Sequence, residues 1–218
     1  MRISNLIARW AVLVSVFVAF SGCGNSPVGP ASVGSGGGDP NPAVMGPPVL
    51  VVHPDGTTSW TQLPPGGGMP AGSLTDPGAT SAKLEVVEQV DGSAGAKMRC
   101  GRFYLLIPPG AFDGRGSVTM SMADSTVMVC DLQIYPPELN QFHEPIKLAL
   151  SVNDTDCSTD TLSIYWHDPD KNEWVGMACD KDLSNNAETT AAPCPANMRG
   201  VMTDLRHFSR YSGGKAGW

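Results

Sequence analysis

Ile146-Lys147-Leu148-Ala149-Leu150-Ser151-Val152 sets a large aliphatic side chain at every second position and a small or polar one between. A strand turns successive side chains to opposite faces, so this run reads as a strand with one face in a core. A helix of period 3.6 would scatter the four aliphatics around its circumference. Val118, Met120 and Met122 alternate with Thr119 and Ser121 in the same way, and Leu162, Ile164 and Trp166 repeat the pattern. Short alternating runs continue between turn signals from about residue 81. They predict strands near 83–90, 97–107, 116–122, 127–134, 146–152, 161–167, 173–179, 199–204 and 207–212. No segment carries a sustained helical period. The expected fold is all-β, an antiparallel β-sandwich over 81–212 with a short tail at 213–218.

Residues 24–80 have a different texture. Gly and Pro dominate, as in GSGGGDPNP at 34–42 and PPGGGMP at 64–70, and there is no Lys or Arg. Such a stretch buries too little apolar surface to offset the entropy of ordering it, so 23–80 reads as a flexible tether. As a coil it spans about 40 Å. Inside it, Val49-Leu50-Val51-Val52 and Trp60-Thr61-Gln62-Leu63 flank His53-Pro54-Asp55-Gly56. Pro54 presets the first turn dihedral and Gly56 accepts a positive one, which predicts a hairpin. Alone a hairpin is marginal. Either it docks on the domain behind it or it is an adhesive spot in the tether.

At the other end of the tether, Arg2 and Arg9 accompany a short apolar run, Trp10 to Phe20, which closes on Ser21-Gly22-Cys23. The run is about half the roughly 20 residues a spanning helix needs. It reads as a secretory signal, and its cysteine resembles the lipobox of bacterial lipoproteins. That resemblance implies that 1–22 is removed, that Cys23 is acylated and heads the mature chain, and that the lipid bilayer is its first partner. Each buried methylene contributes about 0.8 kcal/mol, so two or more chains anchor stably. Gly24, where an aspartate would direct sorting to the inner membrane in enteric bacteria, points to the outer one. Removing 1–22 deletes two arginines and no acid, which moves the formal charge from −7 to −9. An acidic chain without a Lys/Arg cluster is a poor partner for nucleic acid.

Within the domain, Ile107-Pro108-Pro109-Gly110-Ala111 is followed by Tyr135-Pro136-Pro137, then Phe142, then Glu144-Pro145-Ile146-Lys147-Leu148. This order is similar to the ZU5 domain over about 83–212. A Trp166, Asp168, Trp174 hairpin and a closing His207-Phe208-Ser209-Arg210-Tyr211 match the tail of bacterial ZU5-like domains. The resemblance implies a β-sandwich with a binding role. Physically, the paired prolines and Gly110 suit a rigid turn where the chain changes sheet, and Phe142 suits a plug at the sandwich end. ZU5-bearing death-domain scaffold proteins include members that cut themselves between Phe and Ser of this triplet. The resemblance therefore implies a candidate acyl shift in which Ser209 attacks the Phe208 carbonyl with help from His207. The same residues also read as an ordinary last strand, Phe208 and Arg210 on one face, Ser209 and Tyr211 on the other.

Other chemistry has little support. His143-Glu144 starts like a zinc-protease helix but lacks the second histidine, and Pro145 breaks the helix. Asn153-Asp154-Thr155-Asp156 with Asp160 lacks the glycine and terminal Glu of a calcium loop. The cysteine spacing suits no metal, so no metal and no cofactor are expected. Export permits disulfides. Cys100 and Cys130 flank the IPPGA corner, and Cys179 and Cys194 bracket a loop, so two bridges are expected, Cys100–Cys130 and Cys179–Cys194. Cys157 is then left over, and its pairing with Cys179 or Cys194 is the alternative. The functional expectation is a non-enzymatic, lipid-anchored envelope protein that contacts a protein or an envelope polymer. The other two readings are self-processing between Phe208 and Ser209, and carbohydrate binding by Trp166 and Trp174.

Overall fold

The aliphatic run that opens the sequence argument becomes β8 (Ile146–Ser151), with Ile146, Leu148 and Leu150 fully buried. The structure, a computed structural model, describes residues 45–64, 82–181, 183 and 194–218. Cys23, the signal peptide and most of the tether lie outside the described residues.

Twelve strands are described, and they form two antiparallel sheets. One orders β10 (Glu173–Gly176), β9 (Leu162–Asp168), β12 (Arg210–Lys215), β7 (Val129–Tyr135), β6 (Arg115–Met122) and β3 (Leu84–Asp91), with β1 (Pro48–Val52) on β12 and β2 (Thr58–Gln62) on β1. The other orders β11 (Gly200–Leu205), β8, β5 (Phe103–Ile107) and β4 (Ala96–Cys100). Their inner faces share one core, to which β5 contributes Phe103, Leu105 and Ile107, β6 Val118, Met120 and Met122, and β9 Leu162 and Ile164. The all-β sandwich read from alternation is the observed fold.

Four details differ from the sequence reading. The stretch 97–107 is two strands: Gly101 turns at φ +57 and Cys100 pairs with Phe103. Only Gly176 and earlier residues of 173–179 are strand. The hairpin at 48–62 belongs to the sandwich and not to the tether, because Val49 pairs with Gly214, Met128 donates to the Leu50 carbonyl, and Val49 to Val52 are buried. Residues 213–215, expected as tail, continue β12. Glycine is required there. A Cβ on Gly213 would sit 2.2 Å from Leu150 Cδ2, and one on Gly214 2.7 Å from Tyr165 Cδ2.

The cysteines differ too. Cys100, Cys130, Cys157, Cys179 and Cys194 are all free thiols, so neither expected bridge is formed. Cys100 ends β4 and Cys130 lies on β7, in opposite sheets. Both side chains enter the core between the sheets, where the two thiols stay unbonded. Burial holds the Cys130 thiol well above its ordinary range, with a contribution from neighbouring Cys100, which keeps it protonated and inert. Cys179 packs against the inter-sheet core, whereas Cys194 lies in a separate cluster with Tyr104, Leu106 and Met202. Different apolar layers keep these two apart.

Candidate functional site

Two sequence features converge at one end of the sandwich. The IPPGA corner joins β5 in one sheet to β6 in the other. Gly110 takes φ +86, its N–H donates to the Gly92 carbonyl at 2.7 Å, and Ala111 accepts from His143 N–H at 2.9 Å. Phe142 is buried behind this corner. Its ring meets Phe208 edge-on at 4.7 Å and Phe112 at 6.4 Å. The plug expected of Phe142 is therefore an aromatic trio that includes the triplet's own phenylalanine.

Around that phenylalanine the backbone is held by one side chain. Asn140 Oδ1 accepts from the Phe208 N–H at 2.5 Å, and Asn140 Nδ2 donates to the Phe208 carbonyl at 3.0 Å. Ser209 Oγ donates to the His167 carbonyl at 3.2 Å, and the Ser209 carbonyl accepts from Leu132 N–H at 2.8 Å. The His207 ring stands edge-on to Trp166 at 5.0 Å, and the His207 carbonyl accepts from the buried Tyr211 hydroxyl at 2.7 Å. Burial raises the Tyr211 phenol pKa, so that hydroxyl stays a donor. Phe208 and Tyr211 both lie in the core. The alternation expected for 207–212 fails because regular strand begins only at Arg210.

A cleft of about 410 Å³ opens where β12 leaves β7, lined among others by Gln133, Asn140, Ser209 and the Asp131–Arg210 pair. Chemically the corner offers one catalytic element. Asn140 Nδ2 sits where it would stabilise negative charge growing on the Phe208 oxygen. The other elements are committed elsewhere: the serine proton goes to a backbone carbonyl, the histidine ring packs on an indole, and none of residues 207–209 has a positive φ. Asn140 is the residue the sequence reading missed. Its signal was a lone Asn after the Pro136-Pro137 turn, 68 residues from its partner.

The remaining candidates are dispersed. Trp166 faces Val175 and Trp174 faces His167 across the β9–β10 pair, so alternation puts the two indoles on opposite faces. Their Nε1 atoms are buried without a hydrogen-bond partner, and Trp174 lies against Gly46 and the base of the N-terminal hairpin. They cannot form one platform. Of the acidic turn, Asp156 accepts from Thr58 at 2.5 Å and Asn153 Oδ1 from Arg199 N–H at 2.6 Å. Among the described residues no group of three His, Cys, Asp or Glu side chains could hold a metal ion, and no helix is long and apolar enough to cross a membrane. No family model matches this chain, and no curated protein matches it at a significant level.

Proposed function

We propose that this chain is an exported bacterial lipoprotein, anchored through acylated Cys23, whose ZU5-like sandwich is a non-enzymatic contact module for a protein or polymer of the cell envelope. The outer membrane is the favoured location. The observation that carries the binding role is the wiring of His207-Phe208-Ser209: the atoms an acyl shift needs free are used to hold β7, β9 and β12 together. The IPPGA corner and the Phe112–Phe142–Phe208 plug support the ZU5 likeness. The chain from Cys23 to the first described strand supplies reach. No nucleic acid, metal or cofactor enters this reading.

The anchor is tested by Cys23→Ser. The variant is expected in the soluble fraction of cells, and wild type in the membrane fraction with acyl mass on its N-terminal peptide. A variant that stays in the membrane, beside a wild type carrying no acyl mass, refutes the anchor.

A further inference from the structure

The eight-stranded sheet has an outer face, and over β3, β6 and β7 the register fixes what that face displays. Gln89 pairs with Ser117 and Ser117 with Tyr135; Val87 pairs with Thr119 and Thr119 with Gln133. Of the alternate positions, Val90, Val118, Met120, Leu132 and Ile134 are buried in the core, with Val86 half-buried and only the edge residue Glu88 exposed, so these six point outward. Strands lie about 4.8 Å apart and alternate residues about 6.8 Å apart, giving a level grid about 10 by 7 Å. Tyr135 is 73% exposed and Val87 54%.

This grid carries no charge. Ion pairs stand at its borders, Arg115 with Asp91 at 3.3 Å beyond one row, Lys83 with Glu85 at 2.8 Å and Arg210 with Asp131 at 2.6 Å beyond the other; the exposed Glu88 lies between Val87 and Gln89 on the edge strand, on the alternate side. The opposite outer face differs. There Lys97, Leu106, Lys147 and Asp204 make a row across β4, β5, β8 and β11 with a Lys147–Asp204 ion pair, and the next row is covered by Leu183, Cys194 and Met198. The outer side of β9 and β12 is also occupied, by the hairpin base at Gly46 and Pro47. The β3–β6–β7 face is open and uncharged, whereas the open part of the opposite face is a cleft of about 460 Å³ lined by the charged Lys97, Glu144, Lys147 and Asp204.

Resting on the reading as an envelope contact module, we infer that this face binds a linear, uncharged polysaccharide. A sugar ring presents apolar C–H groups on its flat face and hydroxyls around its rim. Tyr135 offers an exposed ring for the first. Gln89, Ser117, Thr119 and Gln133 offer amides and hydroxyls, which both donate and accept, for the second. Without a net charge on the grid there is nothing to steer an ionic partner. A protein partner would call for a buried aromatic anchor in a pocket at the centre of the patch. Here the aromatic stands at a corner and the centre is small and polar. The cleft beside Gln133 and Asn140 continues the polar track past Arg210.

The test uses the full mature chain in detergent, co-sedimented with insoluble chitin and with cellulose as neutral linear probes. Wild type should sediment with at least one polymer and be released by the matching soluble oligosaccharide, with little effect of added salt. Tyr135→Ala should weaken binding about fivefold to tenfold, the contribution of one stacked ring. Thr119→Lys should abolish it, and Arg99→Ala, on the other sheet, should leave it unchanged. Failure to sediment with either polymer, or equal binding by Tyr135→Ala, overturns the inference. A photo-crosslinker at position 133 separates the two levels of the argument. Cross-linking to a polypeptide in intact cells, with no polymer binding, refutes the polysaccharide and leaves the contact module standing. Silence in both assays counts against both.

Discussion

Replacing Asn140 with alanine removes a single small side chain and frees two backbone groups at once. The Phe208 N–H loses its acceptor at 2.5 Å and the Phe208 carbonyl its donor at 3.0 Å. A buried backbone group left without a partner costs about 1–3 kcal/mol. The cleft alongside admits water, which places each loss at the low end, so the two together come to about 2 kcal/mol. For a domain of this size that lowers Tm by roughly 4–8 °C and the urea midpoint by about 1 M. Asn140→Asp sharpens the test. Aspartate keeps the acceptor for the Phe208 N–H but sets a carboxylate oxygen against the Phe208 carbonyl. Only the protonated acid donates there, so its folded pKa must rise above the ordinary carboxylate value near 3.9. A raised folded pKa contributes stability that is complete below the unfolded value and lost as pH rises through the folded one. Asn140→Asp should therefore approach wild type below about pH 4 and fall behind it towards pH 7. Urea unfolding at pH 4 and pH 7 measures both effects. An alanine variant within about 0.5 kcal/mol of wild type, or an aspartate variant with the wild-type pH profile, would refute the clamp.

Three further outcomes are expected. Phe142→Ala empties the centre of the aromatic trio and should cost about 3 kcal/mol by the same unfolding assay; a loss under about 1 kcal/mol would mean the plug does not seal the core. Asp168 is mostly buried, which on its own would raise its pKa, but the N–H groups of Asp170 and Lys171 at 3.0 and 3.4 Å and the Lys171 ammonium hold it below the ordinary 3.8. Its contribution is therefore present above about pH 4 and lost as pH falls, so the Tm gap between wild type and Asp168→Asn should be full at pH 6 and close below pH 4; a constant gap contradicts this. Finally, the chain should remain intact between Phe208 and Ser209. Denaturing mass spectrometry showing a fragment that starts at Ser209, absent in Ser209→Ala, would favour self-processing.

Alternation made β6 legible because it buries one face only, and β8 and β9 because period two survives in their sequence although Ala149, Ser151 and Tyr165 on the second face are covered as well. The turn inside 97–107 was legible in principle. Core positions run Met98, Cys100 and then Phe103, Leu105, Ile107, so the phase slips by one residue at Gly101-Arg102. The N-terminal hairpin was legible as a hairpin from its two apolar runs and the turn between them, but its docking on the sandwich was not. Glycine and proline on both sides set a tether-like composition, while Val49 to Val52 are buried on both faces and so show no alternation. The glycines of β12 were misread for the opposite reason: they are required by Leu150 and Tyr165 packing on the strand, and not by freedom of the chain. The site was half legible. His207, Phe208 and Ser209 are contiguous, but their wiring runs through Asn140, Leu132 and His167, which local sequence cannot associate with them.

The distribution of charge ties the fold to the proposed surface. β3 pairs with β6 alone and is an edge strand eight residues long, a shape that invites pairing with other chains unless charge discourages it. It carries Glu85, Glu88 and Asp91, with Lys83 just before it. That is where protection against aggregation is needed, and it accounts for these charges. One strand inward, solubility alone would be served as well by Lys or Glu as by Ser117 and Thr119. The same holds for Gln133 on β7. A chain that places acids freely elsewhere, to a formal charge of −7, leaves six adjoining outward positions without one. Edge protection does not explain that gap, and core packing does not reach it. Recognition of an uncharged, hydroxyl-rich polymer explains both the missing charge and the exposed ring at the corner.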